Sequence, residues 1–250
     1  MSFHSLAEEE FDNKEEDLLA DILSSGNYEI DQKMGGGMPM NSLSLFEGQN
    51  DSGKSVLVQQ IMWGGLNQGR RIAVFTTENT VRSLLKQMAS LSLDVDDYFI
   101  IGRLNIFPIH VQGVDWSEEV SVDLLKFMLK SMERCNNEVI IIDSLTVFVV
   151  HSTEDDILNF FTGCKKLCDQ GKTILVTAHG YAFSENLLVR IRSICDAHLH
   201  LKIEEAGDQL MKVLEVAKIR GAQKSTGNII SFDVDPGFGL RIIPILKAKA

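Results

Sequence analysis

From residue 40 onward, two hydrophobic periods alternate along the chain. Short apolar runs rich in β-branched residues give way to longer stretches whose apolar positions recur every three or four residues. That alternation predicts strands followed by helices. Leu43–Glu47 reads as a strand; a glycine-containing loop then leads into a helix from Ser55 to about Asn67, closed at Gly69. Arg71–Thr77 is a β-branched strand, and Thr80 caps a helix running to about Leu91. An acidic turn at Asp94–Asp97 and a short strand within Phe99–Ile106 are expected next. Val122, Leu124, Leu125, Met128, Leu129 and Met132 mark a helix over Ser121–Met132. Val139–Ile142 and Thr173–Ala178 are continuous apolar runs, as in strands buried on both faces. Helices over Asp155–Gln170 and Glu185–Cys195 follow each of them.

Beyond residue 197 the helical period disappears. His198–Ile203, Leu210–Ile219, Asn228–Val234 and Leu240–Ile243 are strands separated by turns containing Gly207, Gly227 and Gly237, a hairpin pattern. The predicted fold is therefore α/β: an αβα sandwich with a mainly parallel central sheet and antiparallel C-terminal hairpins. No internal repeat or low-complexity linker divides it. The expected organisation is an acidic N-terminal helical segment over residues 1–25 and a single domain over 26–250.

Charge changes the picture at the N-terminus. The chain has 250 residues, and its 24 Lys+Arg against 35 Asp+Glu leave a net charge of −11. Residues 1–21 hold eight acids and one lysine, so they carry −7 and the other 229 residues only −4. Phe11, Leu18, Leu19, Ile22 and Leu23 could line one stripe of a helix ending near Gly26. That helix is either a solvated acidic segment packed on the domain or a docking element for a basic partner. The acidic balance opposes a nucleic-acid or anionic-lipid coat. The most apolar stretch, Val139–Val150, is cut by Asp143, Ser144 and Thr146 and falls short of the ~20 residues a membrane span needs. The opening residues lack the basic start and apolar run of a secretory signal. Cys135, Cys164, Cys168 and Cys195 have no metal or redox spacing, as in a reducing compartment, and Cys164 and Cys168, four apart on one helix face, read as small core residues rather than a redox or metal pair.

The strongest chemical signal is Gly48-Gln49-Asn50-Asp51-Ser52-Gly53-Lys54-Ser55, which fits the P-loop pattern G-x-x-x-x-G-K-[ST]. Residue frequencies put its chance occurrence at about 1% for this length, and the flanking strand and helix are the context the motif requires. Gly48 and Gly53 allow backbone angles that turn N–H groups around phosphate oxygens. Lys54 can reach β/γ-phosphates, the Ser55 hydroxyl can hold Mg²⁺, and Val56 lies where it could touch the base. Asp51 is a departure, since it places a carboxylate in an anion cradle. Asp143 ends the apolar run Val139–Ile142, where a carboxylate can hold Mg²⁺ through water. Glu78 follows the strand ending at Thr77; it can activate water or simply complement the dipole of the helix capped by Thr80. Lys218 and Arg220 alternate onto one side of a strand end, suited either to phosphate charge or to solvent. His179 ends a strand beside the expected site, as a sensor of phosphate or as a strand cap. His198 and His200 read as satisfied polar residues rather than metal ligands. Gly35, Gly36 and Gly37 mark a close backbone approach or a mobile loop.

These residues together resemble the KaiC-like branch of the RecA-type ATPases. Glu29-Ile30-Asp31-Gln32-Lys33-Met34-Gly35-Gly36-Gly37-Met38-Pro39 looks like that branch's lead-in. The P-loop, Thr76-Thr77-Glu78, the strand ending in Asp143 and Lys218-Ile219-Arg220-Gly221 follow in the family's order, so the resemblance spans roughly residues 26–245. Within the branch, Ser25-Gly26-Asn27, Thr76 through Thr80 and Ile230 through Leu240 look most like the FlaH group, accessory ATP-binding proteins of the archaeal flagellum (archaellum) motor.

The resemblance implies a RecA-like sandwich binding ATP and Mg²⁺ through the P-loop, Ser55 and Asp143. It implies Glu78 at the catalytic-glutamate position, and Lys218 and Arg220 reaching the γ-phosphate of a neighbouring subunit in a hexameric ring. The implied partners are the archaellum motor ATPase FlaI, the membrane platform protein and the scaffold ring, at the cytoplasmic base of the motor. Hydrolysis is expected to be slow or absent in isolation. Asn79 stands where this branch often has a second glutamate, which leaves one base-capable carboxylate. An actively hydrolysing KaiC-like ATPase and a RecA-type recombinase-like protein are the alternatives.

Overall fold

The computed structural model describes residues 22–110, 113–206, 209–222, 228–237 and 239–243. Two short strands, β1 (Ile22–Leu23) and β2 (Met38–Pro39), pair antiparallel and frame helix α1 (Tyr28–Lys33), which Asn27 caps through its side chain. The chain then builds β3 (Leu43–Gly48), α2 (Lys54–Asn67), β4 (Ile72–Thr76), α3 (Val81–Ser90), α4 (Asp96–Ile100) and β5 (Leu104–Pro108). After these come α5 (Glu118–Arg134), β6 (Val139–Asp143), α6 (Thr146–Val150), α7 (Glu154–Asp169), β7 (Thr173–His179) and α8 (Glu185–Ile194). The last four strands are β8 (Ala197–Ala206), β9 (Gln209–Ile219), β10 (Ile229–Asp235) and β11 (Gly239–Ile243).

Nine strands form one sheet in the order β11-β10-β9-β8-β3-β7-β6-β4-β5. The pairings from β8 across to β5 are all parallel, whereas β9, β10 and β11 add antiparallel. The expected αβα sandwich is what forms. One face is covered by α1 to α4, and its core includes Phe46, Leu57, Ile61, Met88 and Leu199. The other carries α5 to α8 over Leu45, Ile140, Phe148, Phe161 and Val176. Each such fully buried aliphatic or aromatic side chain contributes about 1.5–3 kcal/mol. Buried Cys164, Cys168 and Cys195 belong to the second core as free thiols. Burial pushes the thiols of Cys168 and Cys195 up to about 12, which keeps them protonated and inert.

Three local expectations are corrected. Ile22 and Leu23 form a strand instead of ending a helix: Leu23 is fully buried, and the Gln68 amide donates to the Ile22 carbonyl. The acidic stretch starts helix α4, with Asp96 and Asp97 in its first turn where their charge suits the dipole. The strand expected within Phe99–Ile106 is shifted to Leu104–Pro108 because that helix runs to Ile100. The segment 1–21 and the glycines Gly207 and Gly227 lie outside the described residues. Of the two readings of Gly35–Gly37, close approach holds: a side chain on Gly37 would come within 2.5 Å of Ile22.

Candidate functional site

Register brings the chemistry to one sheet edge. In the parallel ladder Gly48 is paired with His179, and Thr76 with Asp143. The strand ends β3, β7, β6 and β4 therefore stand side by side, the place where open α/β sheets bind ligands. A cleft of about 770 Å³ opens there, lined by Asp51, Gly53, Lys54, Ser55, Glu78 and Asp143 among others.

The loop between β3 and α2 is a cradle only glycine can form. A side chain on Gly48 would lie 2.3 Å from the Leu201 carbonyl oxygen and 2.8 Å from Ser52 Oγ. Gly53 is left-handed at φ +93°, as the N-cap of α2. Asp51 also sits at positive φ (+57°), and its side chain is exposed, so its carboxylate is held away from the buried floor of the loop. Lys54 is buried, and its ammonium donates back to the loop carbonyls of Gly48 (3.3 Å) and Gln49 (2.5 Å). Burial pushes its pKa down, against the pull of Asp143, Glu78 and Asp51. A cation bonded to carbonyls of the loop that should enclose an anion fits a phosphate in that loop.

Ser55 and Asp143 meet as expected. Ser55 Oγ donates to Asp143 Oδ1 at 3.0 Å, and Thr177 Oγ1 donates to the same oxygen at 2.6 Å. Burial pushes the Asp143 carboxyl above its ordinary value; the two hydroxyl donors and Lys54 oppose this, while Glu78 adds to it. A buried carboxylate beside a hydroxyl, with a second carboxylate near, is an oxygen donor set suited to Mg²⁺. Glu78 is exposed, and its Oε1 accepts from Ser144 Oγ at 3.1 Å. The helix cap next to it is formed by Thr80 and Ser83, so Glu78 is not needed there.

His179 faces the cleft. Its backbone N–H donates to Thr146 Oγ1 at 3.0 Å, and Nδ1 lies 2.9 Å from the same oxygen. Burial and the Lys54 charge push its pKa down, so the ring is neutral near pH 7. Tyr181 stacks on it at 5.3 Å.

Lys218 and Arg220 are not brought to this cleft. Through β8, Lys218 is aligned with the first half of β3, away from Gly48. Its ammonium donates to the carbonyls of Arg192 (3.0 Å) and Cys195 (2.5 Å), at the C-terminus of α8. Arg220 is mostly exposed, 4.0 Å from Asp196. Sequence reasoning missed Thr177, Ser144, Lys212, Gln87, Tyr181 and Val234. Lys212 was recoverable from alternation, because it shares a strand face with buried Leu214 and Val216. His198 is a satisfied polar residue, since it donates to Glu47 at 2.8 Å.

Fold and cleft together define a RecA-like P-loop nucleotide-binding protein. A family model described as "ATPase: KaiC" matches residues 23–247, and the chain belongs to that family. It is 34% identical over 229 residues to the archaeal flagellar ATP-binding protein FlaH of Sulfolobus acidocaldarius, covering 92% of this chain and all of that one. The crystal structure of flagellar accessory protein FlaH from Methanocaldococcus jannaschii superposes with a TM-score of 0.79 at 24% identity, over 90% of this chain and 99% of the other. A KaiC-like protein from Pyrococcus horikoshii gives 0.72 at 20% identity, over 89% and 99%. These two structural likenesses bear on the fold alone. Among the described residues no helix is long and apolar enough to cross a membrane.

Proposed function

We propose that the protein binds ATP with Mg²⁺ as a regulatory ligand, and that nucleotide occupancy sets its assembly and its grip on a motor partner of the archaellum. One observation carries this reading: Lys54, Ser55, Asp143 and Glu78 converge on a glycine-built loop in a chain 34% identical to an archaeal flagellar ATP-binding protein. The loop N–H groups and Lys54 bind the phosphates, and Ser55 and Asp143 hold the metal. Mg²⁺ held there would supply positive charge that offsets the charge of the phosphates. His179, its pKa pushed down, would face the terminal phosphate without adding charge. Glu78 is exposed and the cleft open, which suits retention of ATP better than fast hydrolysis, a step that needs an ordered base and excluded water. Lys218 and Arg220, remote from their own cleft, would serve a neighbour's nucleotide in a hexameric ring, which for Lys218 means leaving the carbonyls of Arg192 and Cys195. The partners proposed are FlaI, the platform protein and the scaffold ring, at the cytoplasmic base of the motor. The domain is taken to begin at residue 22, since Ile22 and Leu23 pair with β2 and Leu23 is buried in the core, with the acidic segment before it.

The test is ATP-dependent co-purification with FlaI, run for the native chain and for Lys54→Ala. Native binding that responds to ATP and a variant that does not respond is the expected result. Binding that is identical with and without ATP in both would overturn the regulatory reading. The second reading, an active ATPase, is favoured by the position of Glu78 across the cleft from Lys54. Glu78→Gln should then abolish single-turnover phosphate release while leaving ATP affinity within about twofold, since the carboxylate would act on water and not on binding.

A further inference from the structure

The sheet order fixes which end of the cleft is which. Starting from the P-loop on β3, the strands β7 and β6 bring His179 and Asp143 to one side, and β4 brings Glu78 there, two residues beyond its end at Thr76. On the other side, β8 is followed by β9 and β10, and these bring Lys212 and Val234 to the same cleft. The metal and base-capable groups all lie on the first side, so that is the terminal-phosphate end. A nucleotide lying along this edge must then place its α-phosphate and nucleoside toward β9 and β10.

Lys212 is the cation at that end. It shares a sheet face with Leu214 and Val216, so its side chain points to the α2 side, over the start of that helix. Its cross-strand partner Phe232 packs on Gly53: a side chain there would meet the Phe232 ring at 2.9 Å and the Lys212 Cδ at 3.5 Å. The lysine stem therefore runs along the P-loop glycine while the residue is only half-buried. Among the described residues its ammonium has no hydrogen-bond or ion-pair partner, whereas its neighbours Lys202 and Lys218 are each committed to one. The apolar walls beside it, Val56 and Val234, suit a base or ribose face and not a metal.

We propose that Lys212 is a second phosphate-binding cation, supplied by the C-terminal hairpin, that holds the α-phosphate of a bound adenosine di- or triphosphate. The inference rests on the nucleotide-binding reading above. It gives β9 and β10 a direct contact with the ligand, so that nucleotide occupancy orders the hairpin as well as the P-loop.

Calorimetric titration of the full-length chain with ATP and with ADP tests this, using Lys212→Gln, Lys212→Arg and Lys54→Ala, each checked for native circular dichroism. Both nucleotides carry the α-phosphate. Lys212→Gln should weaken ATP and ADP by a similar factor, about tenfold or more for a lost charge-assisted hydrogen bond, and Lys212→Arg should restore most of the loss. Unchanged affinity for both nucleotides would overturn the proposal. So would loss confined to ATP, which would place Lys212 on the terminal phosphate. A native chain that binds neither nucleotide would instead sink the underlying reading, as would a Lys54→Ala chain that binds ATP as tightly as the native one.

Discussion

Glu47, the residue immediately before the P-loop, is almost fully buried. It accepts two bonds from Arg192 Nη2 (2.7 and 2.9 Å), one from Arg192 Nε (3.0 Å) and one from His198 Nε2 (2.8 Å). Burial raises its pKa, but the bonds from His198 and Arg192 and their charges win and hold it down to about 2. Its ordinary value is 4.5, so the folded state binds this proton less readily than the unfolded chain. The resulting stabilisation is complete above about pH 4.5 and is lost as pH falls toward 2. Glu47→Gln leaves the Arg192 charge, its side chain 30% exposed, facing a neutral amide. It should cost about 1.5–3 kcal/mol in urea unfolding at pH 7, the scale of a lost charge-assisted hydrogen bond, and the difference from the native chain should shrink below pH 4. A cost under 1 kcal/mol would make the cluster incidental. Nothing in the sequence marked Glu47, because its partners lie 145 and 151 positions away. The P-loop was legible for the opposite reason: its chemistry is carried by eight consecutive residues. Asp143 lay between these cases, since its strand was visible while the hydroxyls of Ser55 and Thr177 that bind it come from elements 88 and 34 positions away.

Long periodic elements were readable, and short ones stabilised by tertiary contact were not. The helices over 54–67, 118–134 and 154–169 each repeat apolar residues through several turns, so their pattern suffices. The two-residue strand β1 has no pattern, and its identity comes from pairing with β2 and from packing on α2. The close fit there is measurable. A side chain on Gly64, in the middle of α2, would lie 2.3 Å from the Ser24 carbonyl oxygen and 2.4 Å from the Gly26 nitrogen. Both are backbone atoms, and the same segment is tied down where Gln60 donates to the Ser25 carbonyl at 3.0 Å. Alanine normally favours a helix interior over glycine by about 1 kcal/mol. Here Gly64→Ala should destabilise by about 1–3 kcal/mol, the usual cost of overpacking, with protease cleavage appearing near residues 22–26. A neutral or stabilised Gly64→Ala would mean that this segment does not rest on α2.

For the molecule as a whole, the net charge of −11 divides unequally between two parts of the chain. Removing residues 1–21 takes away −7 and leaves a body of −4 whose cations Lys54 and Lys212 face a single cleft. On the prediction that the acidic segment is separate from the nucleotide site, its charges reach that cleft only through solvent, where screening limits them to about 8–10 Å at ordinary ionic strength. A chain lacking residues 1–21 should therefore fold and keep its ATP affinity within about twofold at physiological salt, the scale of a surface change. Lowering the salt should widen the gap, with the shortened chain binding the anionic nucleotide more tightly because a repulsive field has been removed. Partner binding is the property expected to change: an acidic docking element, once deleted, costs affinity for a basic partner, while a merely solvated helix costs nothing. Titration of ATP at two salt concentrations, beside co-purification with FlaI, separates these outcomes. A shortened chain that folds but no longer binds ATP would show that the acidic segment is part of the nucleotide site.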